Sequence, residues 1–309
     1  MLPQSTGRIS TKMNSARRWI LMPSVTAVLA GLRPRSRTIP LMLKRTLAAI
    51  VLAAFGIPAI IFGHIPYFVL IAIFLGMAAW EYVIIFRAVN LSPSMWLTVG
   101  GVLLLLGART YSPDLAPAAL SLLILLAMTL HLVTYERGRD QAATDFAVTL
   151  GGIVYLGWIG AYLLDLRGLD GGLWWLLLSL GSVWIADSAA YFVGSRFGRH
   201  KLSPRLSPKK SWEGYWAGVF FGTLGGVGLA LLWRTVGGLE VAWWQGGVLG
   251  LVMSVFPTLG DLGESMIKRQ AGLKDSSNII PGHGGFLDRV DSWLWGAVLG
   301  YYLIVWFVH

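Results

Sequence analysis

Long hydrophobic runs, separated by short polar segments, set the elements of this chain. From Thr46 onward nine such runs follow one another, at about residues 46–63, 66–86, 94–108, 115–134, 146–164, 172–194, 214–233, 241–260 and 293–308. Most approach or exceed the ~18 residues that cross a bilayer core as a helix. The third and the last are short. The pattern predicts an all-α integral membrane protein, a polytopic bundle of about nine transmembrane helices.

Two polar stretches interrupt the pattern. The first, Trp184–Gly218, reads WIADSAAYFVGSRFGRHKLSPRLSPKKSWEGYWAG. Asp187 lies inside an apolar helix, with Tyr191 one turn later on the same face. A carboxylate that deep is expected to face the bundle interior, with a partner or a cation. The plain alternative is a structural hydrogen bond to a neighbouring helix. A basic loop follows, and in it Ser207, Lys209, Lys210 and Glu213 resemble a phosphate cradle opening a helix. A basic loop beside a membrane also arises simply as a topology signal or a lipid-headgroup contact.

The second stretch, Leu259–Ser292, reads LGDLGESMIKRQAGLKDSSNIIPGHGGFLDRVDS and holds ten ionisable groups, although only 13% of the chain is charged. Charge at a bilayer edge is expensive and marks a working site. Asp261/Glu264 and Asp288/Asp291 are i,i+3 pairs that each project from one helical face. The PGHGG segment between them, at 281–285, cannot continue a helix. Helix, polar re-entry, helix, with carboxylates at both ends and cations between, suits a divalent metal and a polyphosphate. Glu81, at the end of the second run, stands apart; it could cap a helix or pair with a cation, and no role follows from its position.

Composition narrows the class. Hydrophobic residues make up 55% of 309, and 38 glycines fit close helix packing. No cysteine is present, which removes disulfides and thiolate metal sites. The net charge of +10 is explained by membrane topology and anionic lipid or phosphate ligands, so no nucleic acid partner is inferred. With the N-terminus in the cytoplasm and the runs alternating, 22 of the 25 Lys/Arg fall on the cytoplasmic side; only Arg109, Arg167 and Arg234 fall opposite. Both polar stretches are then cytoplasmic and can meet at one membrane face. Asp187, Asp261 and Asp288 would converge there from three helices. Such hard oxygen ligands favour Mg2+, which binds through one or two carboxylates plus substrate phosphates. No G-x-x-x-x-G-K-[ST], H-E-x-x-H or G-x-S-x-G pattern occurs, against P-loop, zinc-protease and common serine-hydrolase chemistry.

The spacing Ser265-x-x-Lys268-Arg269, Lys274-Asp275, Pro281-x-His283-Gly284-Gly285-x-x-Asp288-Arg289-x-Asp291 resembles the signature of phosphatidate cytidylyltransferases (CDP-diacylglycerol synthases). Asp187-Ser188-Ala189-Ala190-Tyr191, Gly194 and Ser207–Gly214 resemble the same family, with Ser211 where a Thr is usual. The detailed resemblance covers about residues 184–292. It implies Mg2+-dependent transfer of CMP from CTP to phosphatidate, giving CDP-diacylglycerol and pyrophosphate. It also implies a homodimer among membrane lipids, in a bacterial cytoplasmic (inner) membrane, with the active site facing the cytoplasm.

The expected roles follow. Asp261 and Asp288 hold the metal, with Asp187 and Glu264 as further ligands or as partners behind them. Lys209, Lys210, Lys268, Arg269, Lys274 and Arg289 bind the triphosphate and the lipid headgroup. Ser207 and His283 contact phosphate; no strong base is needed, because the attacking phosphate is already anionic. The chain then divides into a basic N-terminal tail or mis-assigned start at 1–41, an N-terminal transmembrane scaffold at 42–170 and a C-terminal catalytic transmembrane region at 171–309. Met42 would be the alternative start. The readings that compete are a related CTP-dependent transferase acting on another lipid phosphate or an isoprenoid alcohol, and an ion-coupled transporter with Asp187 as the coupling carboxylate.

Overall fold

The computed structural model describes residues 41–277, 279–280 and 284–308, so the tail reading for 1–41, apart from Leu41, and the phosphate role of His283 lie outside the described residues. Leu41–His309 fall within one compact unit. In chain order the helices are α1 (Leu41–Phe62), α2 (His64–Arg87), α3 (Met95–Tyr111), α4 (Ala116–Glu136), α5 (Ala142–Gly152), α6 (Tyr162–Gly168), α7 (Gly172–Phe197), α8 (Trp212–Val236), α9 (Trp243–Val255), α10 (Pro257–Gln270) and α11 (Leu287–Val308). A π-helical segment, Ile153–Trp158, joins α5 to α6.

Seven helical stretches are long and apolar enough to cross a membrane: His64–Arg87, Pro113–Glu136, Ala142–Gly168, Gly172–Phe197, Trp212–Val236, Trp243–Gln270 and Leu287–Val308. The first and third expected spans are present as shorter apolar helices, Ile50–Phe62 and Met95–Tyr111. The final span is longer than its apolar run, because α11 begins six residues earlier, within the charged sequence. Outward faces carry large apolar side chains such as Phe55, Phe62, Leu122, Leu132, Phe220 and Phe221, as helices bathed in lipid require.

The interior is close-packed. Leu75 and Ile85 of α2, Leu105 and Leu106 of α3, Leu176 and Leu178 of α7, and Leu249 and Met253 of α9 are essentially inaccessible. Small residues bring α8 against its neighbours: a methyl group on Gly226 would meet the backbone of Gly246 and Gly250 on α9. One element among the described residues is not revealed by the run lengths. Lys201–Ser203 (β1) and Ser207–Ser211 (β2) form an antiparallel hairpin between α7 and α8.

Candidate active site

Pro257 opens α10 one residue after α9 ends; its fixed φ suits a first helical position and its missing N–H breaks continuity with α9. Along α10, Gly260, Glu264 and Lys268 repeat every four residues, and all three are buried. Their face lies on α11. Gly260 is required there, since a methyl group would run into the backbone carbonyl of Asp291 and the ring of Trp295. Glu264 and Lys268 pair across one turn at 2.5 Å. Lys268 Nζ also donates to Asp288 Oδ1 at 2.5 Å, so one ammonium is shared by two carboxylates from two helices.

Asp288 stands in the first turn of α11. Beyond Lys268, its Oδ2 accepts from Ser276 N at 3.0 Å, Ser276 Oγ at 2.8 Å and Gly285 N at 2.8 Å. Three of these bonds fall on Oδ2, and the Ser276 hydroxyl among them has a single proton that Glu81 also draws on; Oδ1 carries only the Lys268 bond and retains an acceptor position. Opposite this group, Glu81 of α2 accepts from the hydroxyls of Ser276 and Ser277 and the amides of Phe286 and Leu287. The helix-capping role considered for Glu81 is the one it plays, on a helix remote in sequence.

The hairpin reaches α10. Lys210 Nζ lies 2.7 Å from Asp261 Oδ2, and Arg269 Nε donates to Leu206 O at 3.2 Å. The two polar stretches thus meet. Residues 207–213 depart in detail from the expected helix opening. Ser207–Ser211 is a strand, and α8 opens after it, with Ser211 Oγ accepting from Gly214 N at 3.3 Å. Glu213 is turned back onto the loop, accepting from the amides of Arg199 and His200 and lying 2.6 Å from His200 Nδ1.

Asp187 does not face the bundle interior. The inner face of α7 is taken by Leu180, Val183 and Ala186, and the next residue turns outward. Asp187 is exposed together with Trp184, Ser188, Tyr191 and Phe192, and it lies within electrostatic reach of Lys210 and Asp261. Asp291, half-buried, is within reach of Asp261, Lys210 and Lys268. Asp187, Asp261 and Asp291, from α7, α10 and α11, therefore all lie within electrostatic reach of Lys210, a grouping that the i,i+3 relation of Asp291 to Asp288 does not disclose.

The remaining expected contacts divide by exposure. Ser207 is half-buried in β2. Lys209, Lys274 and Arg289 are exposed and take part in no ion pair among the described residues. Arg269, also exposed, spends its guanidinium on the carbonyls of Leu206 and Leu273. A groove of about 790 Å³ beside the hairpin is lined by Arg199, His200, Lys201, Trp212 and Trp216, and contains none of the α10 or α11 carboxylates.

Two features bear on the fit to a divalent cation. Asp261 pairs with Lys210, Asp187 and Asp291 lie within electrostatic reach of that lysine, and buried Glu264 Oε1 has no hydrogen-bond partner. This hard, electron-rich set suits Mg2+. Among the described residues no three acidic or histidine side chains converge as a finished cage.

Residues 43–307 match the model of the Cytidylyltransferase family. The chain is 33% identical over 295 residues to a phosphatidate cytidylyltransferase of Synechocystis, covering 85% of this chain and 96% of that one. It is 33% identical over 277 residues to the Bacillus subtilis phosphatidate cytidylyltransferase, covering 86% and 98%. A Brucella suis phosphatidate cytidylyltransferase is 34% identical over 207 residues, covering 67% and 70%. A membrane helix bundle with lysines and carboxylates gathered from three helices, matched over nearly its whole described length, belongs to the cytidylyltransferase family.

Proposed function

We propose that the protein is a phosphatidate cytidylyltransferase that moves CMP from CTP onto phosphatidate, releasing pyrophosphate. The observation that carries this reading is the junction of the hairpin with α10 at Lys210 and Asp261, in a chain whose curated relatives bear that name. A phosphate oxygen of phosphatidate attacks the α-phosphorus of CTP. The new P–O bond forms as the bond to the pyrophosphate oxygen breaks. The nucleophile is anionic near neutral pH, so the chain need not supply a strong base.

Exposed Lys209, Lys274 and Arg289 have no competing acid among the described residues and bind the triphosphate and the lipid headgroup, Lys as a point charge and Arg through its planar fork. Lys210, held by Asp261, is positioned at the edge of the carboxylate cluster. Lys268 is buried between Glu264 and Asp288, and its part is to hold α10 against α11 rather than to reach substrate. Asp261 is the central metal ligand, with Asp187 and Asp291 beside it. Bound Mg2+ would neutralise charge developing on the pyrophosphate. A homodimer in the bacterial inner membrane, with this site toward the cytoplasm, is consistent with the distribution of basic residues and with the family resemblance.

The test is transfer of label from α-labelled CTP to lipid by purified protein in detergent, with and without phosphatidate and Mg2+. A labelled lipid that requires both supports the reading. Transfer only to another lipid phosphate or to an isoprenoid alcohol would change the substrate, and no CTP turnover by folded protein would overturn the enzyme.

A further inference from the structure

Glu81 lies in the most apolar part of the chain, yet its side chain is completely buried and belongs to none of the ion pairs among the described residues. A buried carboxylate without a cation is tolerated only when hydrogen bonds satisfy it. Here four do. Oε1 lies 2.6 Å from Ser277 Oγ and 3.0 Å from Phe286 N; Oε2 lies 2.9 Å from Ser276 Oγ and 2.8 Å from Leu287 N. Phe286 and Leu287 bring the chain into α11, where unpaired amides and the positive end of the helix dipole favour a negative charge. Gly285 lets the backbone lie directly on this carboxylate, because a methyl group there would strike both Glu81 oxygens and Ser276 Oγ.

The contact continues inward. Ser276 Oγ stands between Glu81 Oε2 and Asp288 Oδ2, its backbone N–H donates to the same Asp288 oxygen, and Asp288 leads on to Lys268 and Glu264. One residue of α2 thus holds the chain both before and after the polar re-entry, and touches the group that sets the first turn of α11. Asp291 is one turn further along that helix.

We infer that Glu81 is a positioning residue for the transfer reaction: it holds the Ser276 and Ser277 side chains and the 285–287 backbone, and through them the orientation of Asp288 and Asp291. This deepens the proposed cytidylyl transfer and rests on it. In Glu81→Gln an amide NH2 replaces one carboxylate oxygen and meets a backbone N–H that cannot turn away. The substitution therefore breaks at least one α11 bond without changing side-chain size.

Two readouts keep this inference distinct from the proposed reaction. In the labelled-CTP assay, Glu81→Gln is expected to lower kcat per folded enzyme about 10–100-fold, with KM for CTP within about twofold, and Glu81→Asp to restore part of the loss. Ser276→Ala, which removes the hydroxyl shared by Glu81 and Asp288 but leaves the Ser276, Phe286 and Leu287 amide bonds, is expected to lower kcat in the same direction, and the double variant to lose less than the product of the two. Independently of turnover, hydrogen exchange in the peptide covering 284–292 is expected to speed up at least about 10-fold in Glu81→Gln. Unchanged exchange there overturns the inference even if the wild type transfers to no lipid. Wild-type kcat per folded molecule in Glu81→Gln overturns it as well. Should Glu81→Gln fail to fold, Glu81→Asp and Ser276→Ala decide by the same readouts: normal kcat and exchange in both would sink it.

Discussion

Lys210 Nζ and Asp261 Oδ2 lie 2.7 Å apart, joining the hairpin ahead of α8 to the polar helix α10. Both side chains keep roughly a third of their surface in contact with solvent, 27% and 34%. A pair that exposed contributes at most about 1 kcal/mol to stability. In the proposed reaction its importance is functional, because it lies where substrate phosphate and metal would meet. Lys210→Ala and Asp261→Asn are therefore expected to leave the melting temperature in detergent nearly unchanged while each lowers CMP transfer by at least about 100-fold. Thermal unfolding and kinetics on the same preparations check this; a large drop in stability with preserved turnover would contradict it.

Lys268 presents the opposite balance. It is buried, 2.5 Å from both Glu264 and Asp288. Lys268→Met would strand two buried carboxylates without a cation, a loss of about 3–5 kcal/mol. The variant is expected to unfold at much lower temperature than the wild type. Adding Glu264→Gln to it should recover part of the stability, since one uncompensated charge is removed. Equal melting temperatures for wild type and Lys268→Met would refute the burial argument.

Asp291 lies beside Asp261 through the close contact of Gly260 with the α11 backbone. If these carboxylates hold the metal, Asp291→Asn should raise the Mg2+ concentration for half-maximal transfer about 10–100-fold, with maximal rate partly recovered at high Mg2+. Chelation with EDTA should abolish transfer by the wild type, and added Mg2+ should restore it. Transfer that survives EDTA would remove the metal from the reaction.

Lys209 and Arg289 project from the hairpin and α11 without acidic partners among the described residues. Their contribution is expected in binding more than in the chemical step. Lys209→Ala and Arg289→Ala should raise KM for CTP or phosphatidate about tenfold each with little effect on melting, and the wild-type KM should rise with ionic strength. Saturation curves at two salt concentrations are the check. Unaltered KM in both variants would mean that the substrate phosphates are bound elsewhere.

Part of this arrangement is legible from residue order. Seven of the nine apolar runs fall on helical stretches long and apolar enough to cross a membrane and two on shorter apolar helices, while charge obscures the start of α11 and the continuation of the eighth stretch to Gln270. The ten ionisable groups of 259–292 mark a candidate site before any coordinate is known. The hairpin is less visible, because Ser207–Ser211 carries none of the alternating apolar pattern that signals a strand; its small size and the adjoining α8 hold it in place. The depth of Asp187 in an apolar run points inward, whereas the structure turns it outward. Which face of α7 turns inward depends on the packing of Leu180, Val183 and Ala186, and an almost uniformly apolar helix shows no such preference in its sequence.

The limit lies between local and long-range information. Whether a segment crosses a membrane depends on its own length and hydropathy, and whether a polar stretch is a working site depends on the cost of charge in lipid; residue order alone carries both. Partnership does not reduce to such local terms. Ser276 and Glu81 are separated by 195 positions and meet because α2 and α11 pack together at one level and one rotation. The same packing gives Lys268 to Asp288 and brings Asp261 to Lys210 and Asp291. Helical periodicity specifies which residues share a face, while the helix that covers that face is chosen by the close-packing of the whole bundle.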